Sequence, residues 1–184
     1  PGGAVALAEH ASPRLWVILQ GMLKHSNNLT AEMVGLAATK ARKGKVASLK
    51  ASANEMNRWA SSKLGMKQCK LVDHSGLGDA SKVTAQDMAL ALVKARGGIA
   101  PILKPIAMRH SNGKHNKNHP ITVHAKTGTL NFVSALAGYA RAPDGTVMSF
   151  AIFAADTDKR AKIKRSDRER PQGTRSWNKR AKQL

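Results

Sequence analysis

Apolar residues recur with helical spacing through the first half of the chain and alternate with polar ones through much of the second. Leu15, Ile18, Leu19, Met22 and Leu23 form an i, i+3, i+4, i+7, i+8 stripe, which predicts a helix over Leu7–Lys24. Ser12 is its expected N-cap, with Pro13 at the first helical position. Three turn-prone residues, Ser26-Asn27-Asn28, stop it. Thr30 then caps a second helix through Glu32, Met33, Leu36 and Ala37. After Gly44 a third is expected over Val46–Leu64, carrying Leu49, Met56 and Trp59 and ended by Gly65.

The pattern then loosens. Cys69–Val72 reads as a short strand entering a tight turn, Asp73-His-Ser-Gly-Leu-Gly78. Thr84-Ala-Gln-Asp87 resembles a capping box and opens a helix over Met88–Arg96, which Gly97-Gly98 should end. Pro101–Ala107 is expected as a short helix and Arg109–Pro120 as a polar loop. Three alternating runs follow, Ile121–Thr129, Val133–Ala140 and Val147–Ala155, with a hairpin turn at Pro143-Asp144-Gly145. From about Asp167 the chain is polar, with a helix around Arg175–Gln183. Helices first and an antiparallel meander afterwards predict an α+β fold, an antiparallel sheet with helices packed on it. No repeat, linker or second domain boundary interrupts the 184 residues.

Composition narrows the setting. At 42% hydrophobic residues the chain can build one core, as a domain or a large part of one. No apolar run approaches the roughly 18–20 residues of a membrane span, and no signal peptide is visible. Cys69 is the only cysteine, so no internal disulfide forms. Thirty-one Lys and Arg against eleven Asp and Glu give a net charge of +20. The basic residues thicken at Lys40-Ala-Arg-Lys-Gly-Lys45 and again from Lys159 to Lys182, with Arg160, Lys162, Lys164, Arg165, Arg168, Arg170, Arg175, Lys179 and Arg180. Such a field suits nucleic acid, an anionic membrane surface or an acidic wall polymer. Few aromatics offer stacking platforms, so no specific nucleic-acid partner is expected.

Candidate chemistry sits at two places. Lys126-Thr127-Gly128-Thr129 lies on the first alternating run, where a strand fixes the direction of each side chain. Lys126 supplies a cation and Thr127 a hydroxyl, a pair suited to a carboxylate, and Gly128 lets a substrate backbone lie close. Ser26-x-Asn28 occupies the helix break upstream. By themselves these are a solvated strand lysine and an ordinary helix-connecting turn. Their order, however, matches two of the three signatures of penicillin-binding proteins and serine β-lactamases, Ser-x-Asn and Lys-Thr-Gly.

Three longer segments narrow the match: His25-Ser-Asn-Asn-Leu-Thr-Ala-Glu32, Leu71-Val-Asp-His-Ser-Gly-Leu77 and Ala125-Lys-Thr-Gly-Thr-Leu-Asn-Phe132. In this order they resemble the D-alanyl-D-alanine carboxypeptidase/endopeptidases of low-molecular-mass class C. The resemblance runs from about Leu7 to the end of the chain. It implies a serine-type peptidase acting on the D-Ala-D-Ala stem of peptidoglycan through an acyl-enzyme, sensitive to β-lactams, periplasmic, and without metal or organic cofactor. Ser26 would relay a proton, Asn28 bind the substrate amide, and Lys126 and Thr127 hold the terminal carboxylate. Gly128 would admit the substrate, and the Thr129 N–H would form half of an oxyanion hole.

The third signature, Ser-x-x-Lys, should precede Ser26. The literal match at Ser111-Asn-Gly-Lys114 lies in the polar loop, where serine and lysine are not one helical turn apart, and is rejected as the nucleophile. With Pro1 as its first residue, the chain is expected to be the C-terminal portion of a single penicillin-binding domain, residues 1–184, completed by an N-terminal part that carries the nucleophile. The Asp73–Gly78 turn is assigned to scaffold. His110, His115, His119 and His124 lack accompanying carboxylates or cysteines and are read as solvated, not as a metal site. Two other readings share these features. One is a serine β-lactamase or esterase; the other is a non-catalytic basic scaffold that binds an anionic polymer or larger assembly.

Overall fold

A computed structural model describes residues 7–169 and 171–183. Pro1 and Arg170 lie outside the described residues. Three helices open the chain: α1 (Leu15–His25), α2 (Asn28–Lys43) and α3 (Leu49–Trp59), the last running into a π-helical turn at Ala60–Leu64. After an irregular stretch, α4 (Ala85–Ile99) and a 3₁₀ turn (Ala100–Ile102) lead into β1 (Lys104–Ile106). Then come β2 (Thr122–Leu130), β3 (Val133–Arg141), β4 (Val147–Ala155), α5 (Thr157–Ala161), a 3₁₀ turn at Arg165–Asp167 and α6 (Thr174–Ala181). The four strands form one antiparallel sheet in the order β1-β2-β3-β4. The α+β class expected from the pattern is what the chain adopts.

Several boundaries differ from the sequence expectation. α1 starts at Leu15, with Arg14 as an N-cap that makes no side-chain bond, so Ser12 does not cap it. Residues 7–14 are exposed, and a first turn without packing does not repay helix nucleation. The cap of α2 is Asn27, whose Oδ1 accepts from Thr30 N at 2.9 Å; Thr30 is the capped residue and not the cap. α3 begins at Leu49 because Ser48 caps it through Ala51 N.

α4 passes straight through Gly97-Gly98 and stops only before Pro101. Two glycines cost about 1 kcal/mol each in a helix but keep their N–H groups, whereas proline does not. The expected strand Cys69–Val72 reduces to one bridge, Lys70 with Lys82. Side chains take the neighbouring donors instead: Leu71 N bonds Asn57 Oδ1 and Val72 N bonds Ser81 Oγ. Residues expected as a helix over Pro101–Ala107 split into the 3₁₀ turn and β1, so the meander has four strands and not three. Pro105 is tolerated because β1 is a sheet edge that needs no donor on its outer side.

Two apolar packing centres hold the layers. Ala60, Met66 and Ala91 pack with Leu64, Cys69 and Val83 beside the π turn. Leu92, Leu103 and Tyr139 join α4 to the sheet, with Leu23 of α1 packed against them. The Tyr139 hydroxyl donates to Leu92 O at 2.6 Å, which satisfies a buried phenol. Between β2 and β3 the fit depends on a missing side chain. A Cβ on Gly138 would stand 2.2 Å from His124 O and 2.5 Å from the Ala125 Cα.

Candidate active site

The joint between α1 and α2 is unusually short, and its geometry follows from its residues. Ser26 ends α1 in the left-handed region, φ 56° and ψ 49°, where its N–H and that of Asn27 both return to Met22 O. A non-glycine residue there costs on the order of 1 kcal/mol. Asn27 immediately caps α2, so the chain turns within two residues. Ser26 is thereby held exposed on a rigid corner, and Asn28 stands exposed at the first position of α2.

Opposite this corner lies β2. β1 pairs only with Val123–Ala125, which leaves Lys126–Leu130 with no strand on that side among the described residues. The Lys126 Nζ donates to Ser26 Oγ at 2.9 Å and to Thr127 O at 2.6 Å, across 100 residues of sequence in the first case. Lys126 is half-buried. Burial first, and the neighbouring Lys104 second, push its ammonium below the ordinary lysine pKa. Thr127 and Thr129 are exposed on the opposite face of the strand. A Cβ at Gly128 would press on Ala135 Cβ at 3.3 Å. The structure thus brings Ser26 and Lys126 into contact and ties the same ammonium to the Thr127 carbonyl, while Asn28, Gly128 and Thr129 make no side-chain bond to that pair.

A second layer of residues, to which the sequence assigned no chemistry, fixes the corner. Glu32 of α2 accepts from Ser75 N at 2.9 Å and His74 N at 3.2 Å. Burial alone would raise its pKa, but the hydrogen bonds from Ser75 and His74 outweigh it and hold the carboxylate below its usual range. His74 lies flat against α2 at Gly35, where a Cβ would fall 2.1 Å from the ring. Its Nε2 meets Ser52 Oγ at 2.8 Å, and Ser52 in turn meets Thr39 Oγ1 at 2.7 Å. Asp73 closes the turn by accepting from Gly76 N and Gly78 N. The Asp73–Gly78 segment is therefore anchored to the helix that presents Ser26 and Asn28. The signal for it was Glu32 itself, a carboxylate one turn past a helix cap with no lysine or arginine three or four positions on.

A lysine bonded to a serine at an open strand edge can do two things. It can bind a carboxylate, through the cation and the exposed Thr127 hydroxyl. It can also pass a proton, since Ser26 accepts from Lys126 and keeps its own O–H for a third group. Ser111 and Lys114 are placed in a hairpin closed by the Arg109–His115 bridge, not on a helix. Among the described residues no three His, Cys, Asp or Glu side chains gather as metal ligands.

The profile of the D-Ala-D-Ala carboxypeptidase 3 (S13) family matches residues 1–170. The chain belongs to that family. No curated protein matches it. Among solved structures, the S13-family chain is similar to penicillin binding protein 4 from Haemophilus influenzae, complexed with a β-lactam. The identity is 23% and the TM-score 0.60, over 82% of this chain and 38% of that one. It is also similar to a predatory endopeptidase from Bdellovibrio bacteriovorus in complex with an immunity protein. There the identity is 22% and the TM-score 0.53, over 92% of this chain and 43% of that one. At such identities the likeness is one of fold. The chain spans about two-fifths of the length of these structures.

Proposed function

We propose that this chain is the C-terminal portion of a serine-type D-Ala-D-Ala carboxypeptidase/endopeptidase that acts on peptidoglycan stem peptides in the periplasm. The observation that carries the reading is the Ser26–Lys126 contact at a strand edge left unpaired among the described residues, in a member of the S13 family. In this scheme a serine from a Ser-x-x-Lys segment outside this chain attacks the carbonyl between the two D-Ala residues. Lys126 and Thr127 hold the terminal carboxylate, and Asn28 bonds the substrate amide. The Thr129 N–H supplies half of the oxyanion hole. Ser26 passes the proton to the departing amine, D-Ala leaves, and water then releases the acyl group. β-Lactams acylate the same serine because they present a similar amide beside a similar carboxylate.

Two features support a domain completed by further chain. β4 runs nine residues at the sheet margin without a charge, proline or glycine. Free edges ordinarily carry such protection, so this strand has the composition of an interior one. Leu15, Trp16 and Val17 of α1 are also exposed. The test is direct. The full-length protein should release D-Ala from a linear stem pentapeptide, and penicillin should abolish that release. A protein that neither releases D-Ala nor takes up penicillin is the basic scaffold instead.

A further inference from the structure

The two basic concentrations of the chain differ in how they are balanced. At the end of α2, Arg42 and Lys43 are drawn onto the buried Glu55, which Arg58 also joins. Along α5 and the segment after it, Lys159 pairs with Asp156, and Arg160 and Arg168 share Asp79. α6 has no such balance. Residues 171–183 hold Arg175, Lys179, Arg180 and Lys182 but no Asp or Glu. None of these cations enters an ion pair among the described residues. Thr174, Trp177, Asn178 and Ala181 form the covered side of the helix. Arg175, Lys179 and Lys182 are exposed at i, i+4 and i+7, a single stripe about 10 Å long. Cations in a last turn complement the helix dipole, which accounts for Lys179 and Arg180. Arg175 stands in the first turn, where the dipole disfavours it. Like charges three and four positions apart also repel. The stripe therefore lowers the stability of its own helix, and an anion from outside would relieve it.

The helix is fastened to the reactive strand. Asn178 Nδ2 donates to Leu130 O at 3.0 Å, one residue beyond Thr129. Trp177 packs edge-on against Phe132 in the β2–β3 turn, with ring centroids 6.2 Å apart. Asn131 of the same turn donates to Arg168 O at 2.7 Å. The outward side of α6 carries no apolar or aromatic residue; beside the stripe it holds Ser176, Arg180 and Gln183. A helix that lies in a lipid surface needs an apolar side to insert, and single-stranded nucleic acid needs aromatic platforms. This surface offers neither, and what suits it is a chain of repeated anions held by charge. On the proposed peptidase reading, on which this inference rests, the substrate is such a chain. Each free stem ends in a carboxylate, so the wall polymer presents carboxylates in series. We infer that Arg175, Lys179 and Lys182 of α6 form an accessory docking surface for the anionic peptidoglycan polymer, separate from Ser26 and Lys126. It holds wall that is not being cleaved and so keeps further stems concentrated near the end of β2.

The experiment is co-sedimentation of the full-length protein with purified sacculi, beside its turnover of a soluble linear pentapeptide. Arg175→Gln/Lys179→Gln/Lys182→Gln should weaken sedimentation at least about tenfold at low salt and leave pentapeptide kcat/KM within about twofold. Wild-type sedimentation should itself fall steeply as salt rises. A variant that loses the same charge elsewhere, at the exposed Lys40→Gln/Lys45→Gln/Lys50→Gln, should bind sacculi within about threefold of wild type. Equal weakening by the two triple variants would mean a diffuse field and would overturn the surface on α6. So would unchanged sedimentation of the α6 variant, or matched losses on sacculi and pentapeptide. Tighter wild-type binding to anionic phospholipid vesicles or duplex DNA than to sacculi would overturn the choice of partner. A wild-type protein that leaves the pentapeptide intact yet sediments through α6 would overturn the peptidase reading and not the surface.

Discussion

Where α2 meets α3, the buried contacts are polar: Thr39, Ser52 and His74 form a hydrogen-bonded chain, and Glu55 takes Arg42, Lys43 and Arg58. Where β2 meets β3, the close contact is made by what is missing, with Gly138 lying on the His124 carbonyl and Ala125. The first region is specified by charge and donor matching, and so responds to pH and salt. The second is specified by volume and responds to neither. Ser26 sits on the corner that leads into α2, and Lys126 on β2, so the candidate site joins two parts that can be perturbed separately.

The sharpest way to break the comparison is steric. Gly138→Val would drive a side chain into His124 O and the Ala125 backbone, neither of which can rotate away. A stability loss of about 3 kcal/mol is expected, independent of pH and salt, by chemical denaturation. Gly35→Ala is the counterpart in the helical region. Its Cβ would displace the His74 ring, which can move, at the cost of its bond to buried Ser52. About 2 kcal/mol is expected, and less if a water takes the place of His74. A larger loss from Gly35→Ala than from Gly138→Val would reverse the account of which region is the more rigid.

Electrostatics supplies a subtler contrast. The Arg58 hydrogen bond first, then Arg42 and Lys43, lower the pKa of Glu55 to about 2. A depressed carboxylate stabilises the fold above its unfolded pKa, roughly 4.3, and that contribution is lost as pH falls through about 2. Glu55→Gln should therefore lower the Tm at neutral pH, with the gap to wild type closing as the pH approaches 2. A constant gap would mean that Glu55 acts by packing and not by charge.

Smaller still is the effect of Lys104, the second cause of the lowered Lys126 pKa after burial. The ammonium is lost as pH rises through that lowered value, so carboxylate binding should fail below the ordinary lysine range. Over the same window the fold gains stability, because the unfolded chain binds the proton more tightly. Lys104→Gln should move the alkaline limb of kcat/KM upward but not to the ordinary lysine value, since burial remains. An unmoved limb would remove Lys104 from the electrostatics of the site.

The parts of this arrangement that were legible in the sequence are the local ones. The stripe from Leu15 to Leu23, the polar break at Ser26–Asn28 and the alternation through Ile121–Thr129 each encode one element, and the Ser26–Lys126 pairing came from motif order. β1 was hidden because Lys104–Ile106 is too short to show alternation, and its proline argues against a strand until the edge position is known. The end of α4 was misplaced because Gly97-Gly98 weakens a helix without stopping it. The His74–Gly35 contact joins residues far apart in the chain. No periodicity reports such neighbours.

The central claim is that Lys126 belongs to the reacting centre and is more than a solvated strand residue. The decisive measurement is the rate at which a fluorescent penicillin acylates the full-length enzyme and its Lys126→Ala variant, read beside their melting temperatures. The account predicts a loss of about 2–4 kcal/mol in the acylation barrier, or roughly 30- to 1,000-fold in rate. The melting temperature should be nearly unchanged, because the backbone pairing of β2 with β3 does not depend on that side chain. An acylation rate within about threefold of wild type, under 1 kcal/mol, would contradict it.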